Sequence, residues 1–195
     1  IQKINQKKSN IKKRIVKILF AYSSRFEIFK NNKDVEEKHL REIVDTLLAV
    51  SPNKTFLEIK MHPRKISNDV LEIIKSYKNN KISISSNHLY KAGMDCDIFV
   101  AEPRSASILD GLVLKKPVIE IWDSKNQLLY EKEKDNVYEL LRLSKKVRNK
   151  KKLKGLLSKI INNKNFLNYQ IKNFNKICGQ NYNSSKLASS IINKK

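Results

Sequence analysis

"DIFVAEPRSASILDGLVLKKPVIEIWD", residues 97–123, decides the fold. An apolar run, CDIFVAE at 96–102, reads as a strand that stops at a proline. After a polar turn, Ile108, Leu109, Leu112 and Val113 recur at helical spacing, which predicts a helix over 105–115. Pro117 ends the connection, and a second apolar run, VIEIW at 118–122, follows. Strand, helix and strand in so short a span make a βαβ unit with parallel strands. Runs this continuously apolar suit strands buried on both faces.

The alternation continues upstream. RIVKILFAY (14–22) is a strand that runs into a polar loop, SSRFEIFKNNK. DVEEKHLREIVDTLLAV (34–50) is a helix with Asp34 as cap, two acids in its first turn, and Leu40, Val44, Leu47 and Leu48 on one face. TFLEIKM (55–61) is a strand followed at once by His62-Pro63-Arg64. SNDVLEIIKSYKNN (67–80) is a helix, KISISS (81–86) a short strand, and NHLYKAGMD (87–95) one or two helical turns. The expected fold class is α/β: a Rossmann-like, doubly wound, mostly parallel sheet of about five or six strands. From about residue 124 the pattern is helical only. The organisation read from this is a basic lead-in or linker remnant at 1–13, an α/β core at 14–123, and a basic helical extension at 124–195 packed on the same domain.

With 195 residues the chain suffices for one ordinary domain and not comfortably for two. Four glycines and four prolines argue against a linker-rich protein. Cys96 and Cys178 lie far apart with no metal-ligand spacing, which points to a reducing, cytoplasmic setting. No apolar run approaches the ~20 residues of a membrane span. The chain opens on Ile1 rather than methionine and is read as a fragment. Its net charge is +22, and no Asp or Glu follows Glu139. Such a field attracts nucleic acid, anionic lipid or phosphorylated small molecules. An AT-rich codon bias and a solvated lysine face are the favoured explanation, and a specific polyanion surface is the alternative. Nucleic acid is the less favoured partner, because the aromatics fall inside apolar periods rather than among the basic residues.

In an open parallel sheet, ligands bind beyond the carboxyl ends of the strands. Ser23, Ser24 and Arg25 follow the first strand, His62, Pro63 and Arg64 the second, and Glu102, Arg104, Ser105, Ala106 and Ser107 the fourth. A helix starting near Ser105 presents unpaired backbone N–H groups to an anion, and Ser105 and Ser107 either cap it or hold phosphate oxygens. Asp110, three residues beyond Ser107, lies on the same helical face, placed to accept hydroxyls. Pro63 keeps the backbone at His62 extended, so its imidazole can stabilise a leaving phosphate, with Arg64 adding a charge-assisted contact. The alternative is a plain helix cap and a surface histidine in a turn. His39 reads as a surface residue of the helix over 34–50, and His88 as a helix-start residue.

VKILFAYSSR, FLEIKMHPR and DIFVAEPRSASILDGLVLKKPVI, in that order, resemble the carboxy-terminal half of a GT-B glycosyltransferase. The likeness is strongest to the CDP-glycerol glycerophosphotransferase and HP-motif capsule transferase group. It runs over about residues 14–195, including the closing CGQNYNSSKLASSIINKK. Ser23 and Arg25 match the group's first motif, His62 and Pro63 its HP, and Ser105, Asp110 and Lys116-Pro117 its later motif. Ser24, Pro103, Arg104 and Ala106 depart from it. The resemblance implies metal-independent transfer of a sugar or glycerol phosphate from a CDP-, CMP- or UDP-linked donor to a cell-surface polymer or glycolipid, with no cofactor. His62 is the catalytic residue it implies, and the other residues named on the rim bind the nucleotide and its phosphate. It further implies a missing amino-terminal GT-B domain and a cytoplasmic enzyme, peripheral on the inner membrane face through its basic carboxy-terminal helices. A UDP-sugar epimerase or UDP-sugar transferase relative is the alternative within this class, and a basic nucleic-acid-binding module the alternative outside it.

Overall fold

The computed structural model describes residues 15–22, 33–50, 55–62, 68–77, 81–122, 137–163 and 165–178. Six strands form one sheet: β1 (Val16–Tyr22), β2 (Thr55–Met61), β3 (Ile82–Ile84), β4 (Ile98–Ala101), β5 (Val118–Ile121) and β6 (Lys145–Val147). The spatial order is β3-β2-β1-β4-β5-β6, and every neighbouring pair is parallel. This is the doubly wound order in which the chain reverses direction across the sheet between β1 and β4.

Strand alternation divides the core in two. On one face Ile18, Phe20, Tyr22, Leu57, Ile59, Ile98, Val100, Ile119 and Val147 pack under α1 (Lys33–Leu48), α2 (Asn68–Ser76) and α6 (Lys150–Asn162). On the other, Leu19, Ala21, Phe99, Ala101 and Val118 pack under α3 (Leu89–Met94), α4 (Ser107–Val113) and the partly buried Phe174 of α7 (Asn168–Cys178). α1 keeps its expected apolar face, with Leu40, Val44 and Leu47 fully buried, but it starts at Lys33, so Asp34 lies with Glu36 in the first turn rather than capping the helix. A fourth short helix on the route to β6, α5 (Val137–Leu140), carries no buried residue.

A polar residue and a glycine complete the core. Gln170 of α7 is fully buried; its amide donates to the Val118 carbonyl at 2.8 Å, and its carbonyl accepts the Val118 N–H at 3.0 Å. It thus continues the hydrogen-bond ladder of β5 past the end of β6, whose pairing begins only at Ile119. Gly111 lets α4 sit close on the sheet: a Cβ there would stand 2.9 Å from both Phe99 and Val118.

The helical-only reading of the region after 124 is corrected here, since Lys145–Val147 is a sixth strand paired with β5. It is an edge strand of three residues, two of them lysines, and shows no apolar run. The α4 boundary also moves. The helix starts at Ser107, because Pro103 and Arg104 form a turn, closed by Ser105 N–H to Glu102 C=O at 3.3 Å, with Arg104 at φ 57°.

Candidate functional site

The strand register brings together the ends of β1, β2 and β4. Tyr22 pairs with Met61, and Ala21 with Ala101, so Met61, Tyr22 and Glu102 stand at one level of the carboxyl rim. The His62 N–H donates to the Tyr22 carbonyl at 2.9 Å, which pins the histidine beside the end of β1. Strands sit about 4.8 Å apart, so the ends of β2 and β4 flank β1 across roughly 10 Å. His62 is exposed there, while Glu102 is buried. Ser23, Ser24, Arg25, Pro63 and Arg64 lie outside the described residues.

Two acids stand near Tyr22, Glu36 and Glu102. The Tyr22 hydroxyl donates to Glu36 at 2.7 Å, and both residues are buried. Burial first, then the Glu102 charge and the bond to Glu36, push the Tyr22 phenol far up, so it remains a donor at any working pH. The bond ties the first turn of α1 to the end of β1. Glu36, read from sequence as a first-turn acid, thus also has a packing role.

At the β4–α4 turn the serines contact one another, Oγ to Oγ at 2.7 Å, and Ser105 Oγ accepts the Ser107 N–H at 3.4 Å. The N-cap is Ala106, without a side-chain cap bond, which corrects the expectation that Ser105 or Ser107 caps α4. The Ile108 and Leu109 N–H groups donate to the Ser105 and Ala106 carbonyls. The helix therefore starts with local partners on its first amides rather than a fan of unpaired donors, and a phosphate would compete with these bonds. Asp110 is partly buried; desolvation raises its carboxyl, and His88 opposes the shift. His88 is the N-cap of α3, its Nδ1 accepting the Tyr90 N–H at 3.3 Å.

Lys116, matched by sequence to the group's Lys-Pro, is structural: its ammonium donates to the Met94 and Cys96 carbonyls, each at 2.7 Å, and so anchors the end of α3. Cys96 is buried, and desolvation chiefly pushes its thiol up to about 12, which leaves it protonated and unreactive.

Sequence reasoning passed over a group on the other side of β4. Glu120 of β5 is fully buried and accepts from the Trp122 indole at 2.8 Å and from the Ser144 hydroxyl. The signal was a lone carboxylate in the apolar run VIEIW. Beside the ends of β5 and β6, a cavity of about 180 Å³ is lined by His39, Glu42, Ile121, Trp122, Arg148 and Lys150 among others. Among the described residues no helix is long and apolar enough to cross a membrane.

No protein-family model matches the chain, and no curated protein does. Solved structures do. The C-terminal CMP-Kdo binding domain of WaaA from Acinetobacter baumannii superposes with a TM-score of 0.56 at 11% identity, covering 85% of this chain and 90% of that one. The glycotransferase of kitacinnamycin gives a TM-score of 0.54 at 10% identity, over 100% of this chain and 47% of that one. An apo structure of OtsA gives 0.51 at 12% identity, over 87% and 40%. The fold is thus the Rossmann-like α/β domain that these structures contain. The chain spans nearly the whole of the isolated WaaA domain and less than half the length of the other two chains.

Proposed function

We propose that this chain is the donor-binding half of a GT-B transferase, taking a sugar or glycerol phosphate from a nucleotide-activated donor, with CMP- or CDP-linked donors favoured. The observation that carries the reading is the β1/β4 reversal, with His62 and the Glu102–Ser107 turn on one rim. The match to a domain described as binding CMP-Kdo supports the choice of nucleotide.

The chemistry follows from the charges. Glu102, buried at the end of β4, repels phosphate and accepts hydrogen bonds from hydroxyls. Sugar hydroxyls therefore belong over Glu102, and Asp110 offers a second acceptor for the ribose. Phosphate belongs above the β4–α4 turn, against Ser105, Ser107 and the backbone amide of Ala106. There the helix end favours negative charge, and Arg104 and Arg25 add charge-assisted contacts. His62 faces the same space from β2 and donates to the phosphate oxygen as the bond to the transferred group breaks, which places its effect in the transition state. The acceptor and the base that deprotonates it belong to a partner domain.

Calorimetric titration of the chain with CMP, CDP and UDP tests this. Cytidine nucleotides should bind more tightly than UDP, and His62→Ala should weaken CMP about tenfold, the usual worth of a charge-assisted hydrogen bond. UDP preference would move the assignment to the UDP-sugar enzymes. Binding of no nucleotide would end it.

A further inference from the structure

The exposed apolar side chains of α3 and α4 gather on one face. On α3, Tyr90 and Met94 stand one turn apart and are 46% and 51% exposed; on α4, Leu109 and Val113 stand one turn apart and are 38% and 53% exposed. Ala92 of α3 and Ile108 and Leu112 of α4 turn the other way, onto the sheet. α3 leads from β3 to β4 and α4 from β4 to β5, and all these strands are parallel, so the two helices run in the same direction. Gly93 lets them touch: a Cβ there would stand 2.5 Å from Leu114 Cδ1. That contact sets Val113 beside the middle of α3, at the centre of the patch.

Contiguous apolar surface of this kind marks an interaction site. The charges around it fit a second copy of the same face. From Ile82 to Pro117 the chain carries four basic residues, Lys91, Arg104, Lys115 and Lys116, against four acids, Asp95, Asp97, Glu102 and Asp110, so this stretch is balanced in a chain of net charge +22. On α3 itself Lys91 and Asp95 are both exposed, one turn apart, and neither makes an ion pair within the chain. The positive one lies toward the carboxyl rim and the negative one toward the amino end. A two-fold axis along the helices would set Lys91 on Lys91 and Asp95 on Asp95. A two-fold axis across them makes the facing helices antiparallel, and sets Lys91 of each copy on Asp95 of the other and Tyr90 on Met94.

We propose that the α3–α4 face is a self-association surface, through which two copies of this chain pack with their α3 helices antiparallel, Tyr90, Met94 and Val113 in the middle and the Lys91–Asp95 pairs at the rim. The patch is one to two turns long, so the contact is smaller than the ~800 Å² per partner of a standard interface, and the dimer is weak and concentration-dependent. Long-range repulsion between two basic chains opposes it at low salt and fades above about 0.15 M, where the Debye length is about 8 Å. None of Tyr90, Lys91, Met94, Asp95 and Val113 belongs to the donor-binding reading.

Sedimentation equilibrium of the full chain, from about 5 to about 500 µM in about 0.3 M salt, tests this. A reversible monomer–dimer equilibrium is expected. Val113→Glu puts two like charges at the centre of the contact and should leave a monomer throughout. Lys91→Asp and Asp95→Lys each replace two attractions by two repulsions, and each should weaken the dimer about tenfold or more. Mixed in equal amounts, these two variants should pair with one another about as tightly as wild type, because both contacts are again opposite in charge. All three positions are exposed, so the fold is kept, and far-UV spectra check that it is. A chain that stays monomeric at every concentration leaves the face to a different partner and overturns the proposal. So does a dimer that Val113→Glu leaves intact, or a mixture that fails to pair. Donor binding does not depend on the dimer, so Val113→Glu should bind CMP as wild type does, and the two readings fail separately.

Discussion

Replacing glycine by alanine should have opposite signs at two helical positions of this chain. At Gly111 the new methyl would stand 2.9 Å from Phe99 Cγ, 2.9 Å from Val118 Cγ2 and 3.2 Å from Phe99 Cβ. Comfortable carbon contacts lie at about 3.5–4.0 Å. Phe99 and Val118 are fully buried sheet residues, so the relief must come from α4, displaced outward by roughly half an ångström or more. Overpacking of this kind costs about 1–3 kcal/mol, against a gain of about 0.8–1.0 kcal/mol in helix propensity. The net expectation is a loss of up to about 2 kcal/mol, read as a lower urea midpoint at unchanged slope. At Gly155 of α6, exposed and with nothing within 4 Å, only the propensity gain remains, and Gly155→Ala should stabilise by up to about 1 kcal/mol. The displacement at Gly111 also moves the β4–α4 turn, so CMP affinity should fall in Gly111→Ala and hold in Gly155→Ala. Gly111→Ala gaining as much stability as Gly155→Ala would refute the close packing of α4 and the positioning drawn from it.

Two further outcomes follow. Gln170→Leu strands the buried N–H and C=O of Val118 and should cost about 2–4 kcal/mol in urea unfolding, with far-UV spectra preserved. Asp110 has a carboxyl raised by burial, so folding disfavours its ionised form: stability is lost as pH rises through the unfolded and then the folded value. Asp110→Asn removes that loss, so its melting temperature relative to wild type should climb as pH rises through and above the ordinary aspartate range, while nucleotide binding weakens. A difference flat with pH would contradict this.

Much of the fold was legible because doubly buried strands leave unbroken apolar runs. RIVKILFAY, TFLEIKM and VIEIW all fall within a residue or two of β1, β2 and β5. β6 was hidden because an edge strand of three residues needs few apolar side chains: Lys145 is exposed, and Lys146 lies over an aromatic ring that sequence does not connect to it. The start of α4 shifted because Pro103 carried a turn that absorbed Arg104, and a left-handed arginine leaves no mark in composition. At the site, strand order sets His62 and Glu102 on one rim, on either side of the end of β1. The Tyr22–Glu36 bond, the Glu120 network and the Gln170 bridge could not be read, since each joins residues through the packed interior rather than along a periodic face.

The most direct test of the account is a CMP titration of the isotopically labelled chain followed by amide chemical shifts. The account predicts saturable shifts at Tyr22, His62 and Glu102 through Asp110, with α2 and the far end of α6 unmoved. Saturable binding with shifts confined to α2 or the carboxyl end of α6, and a silent β1/β4 rim, would contradict it.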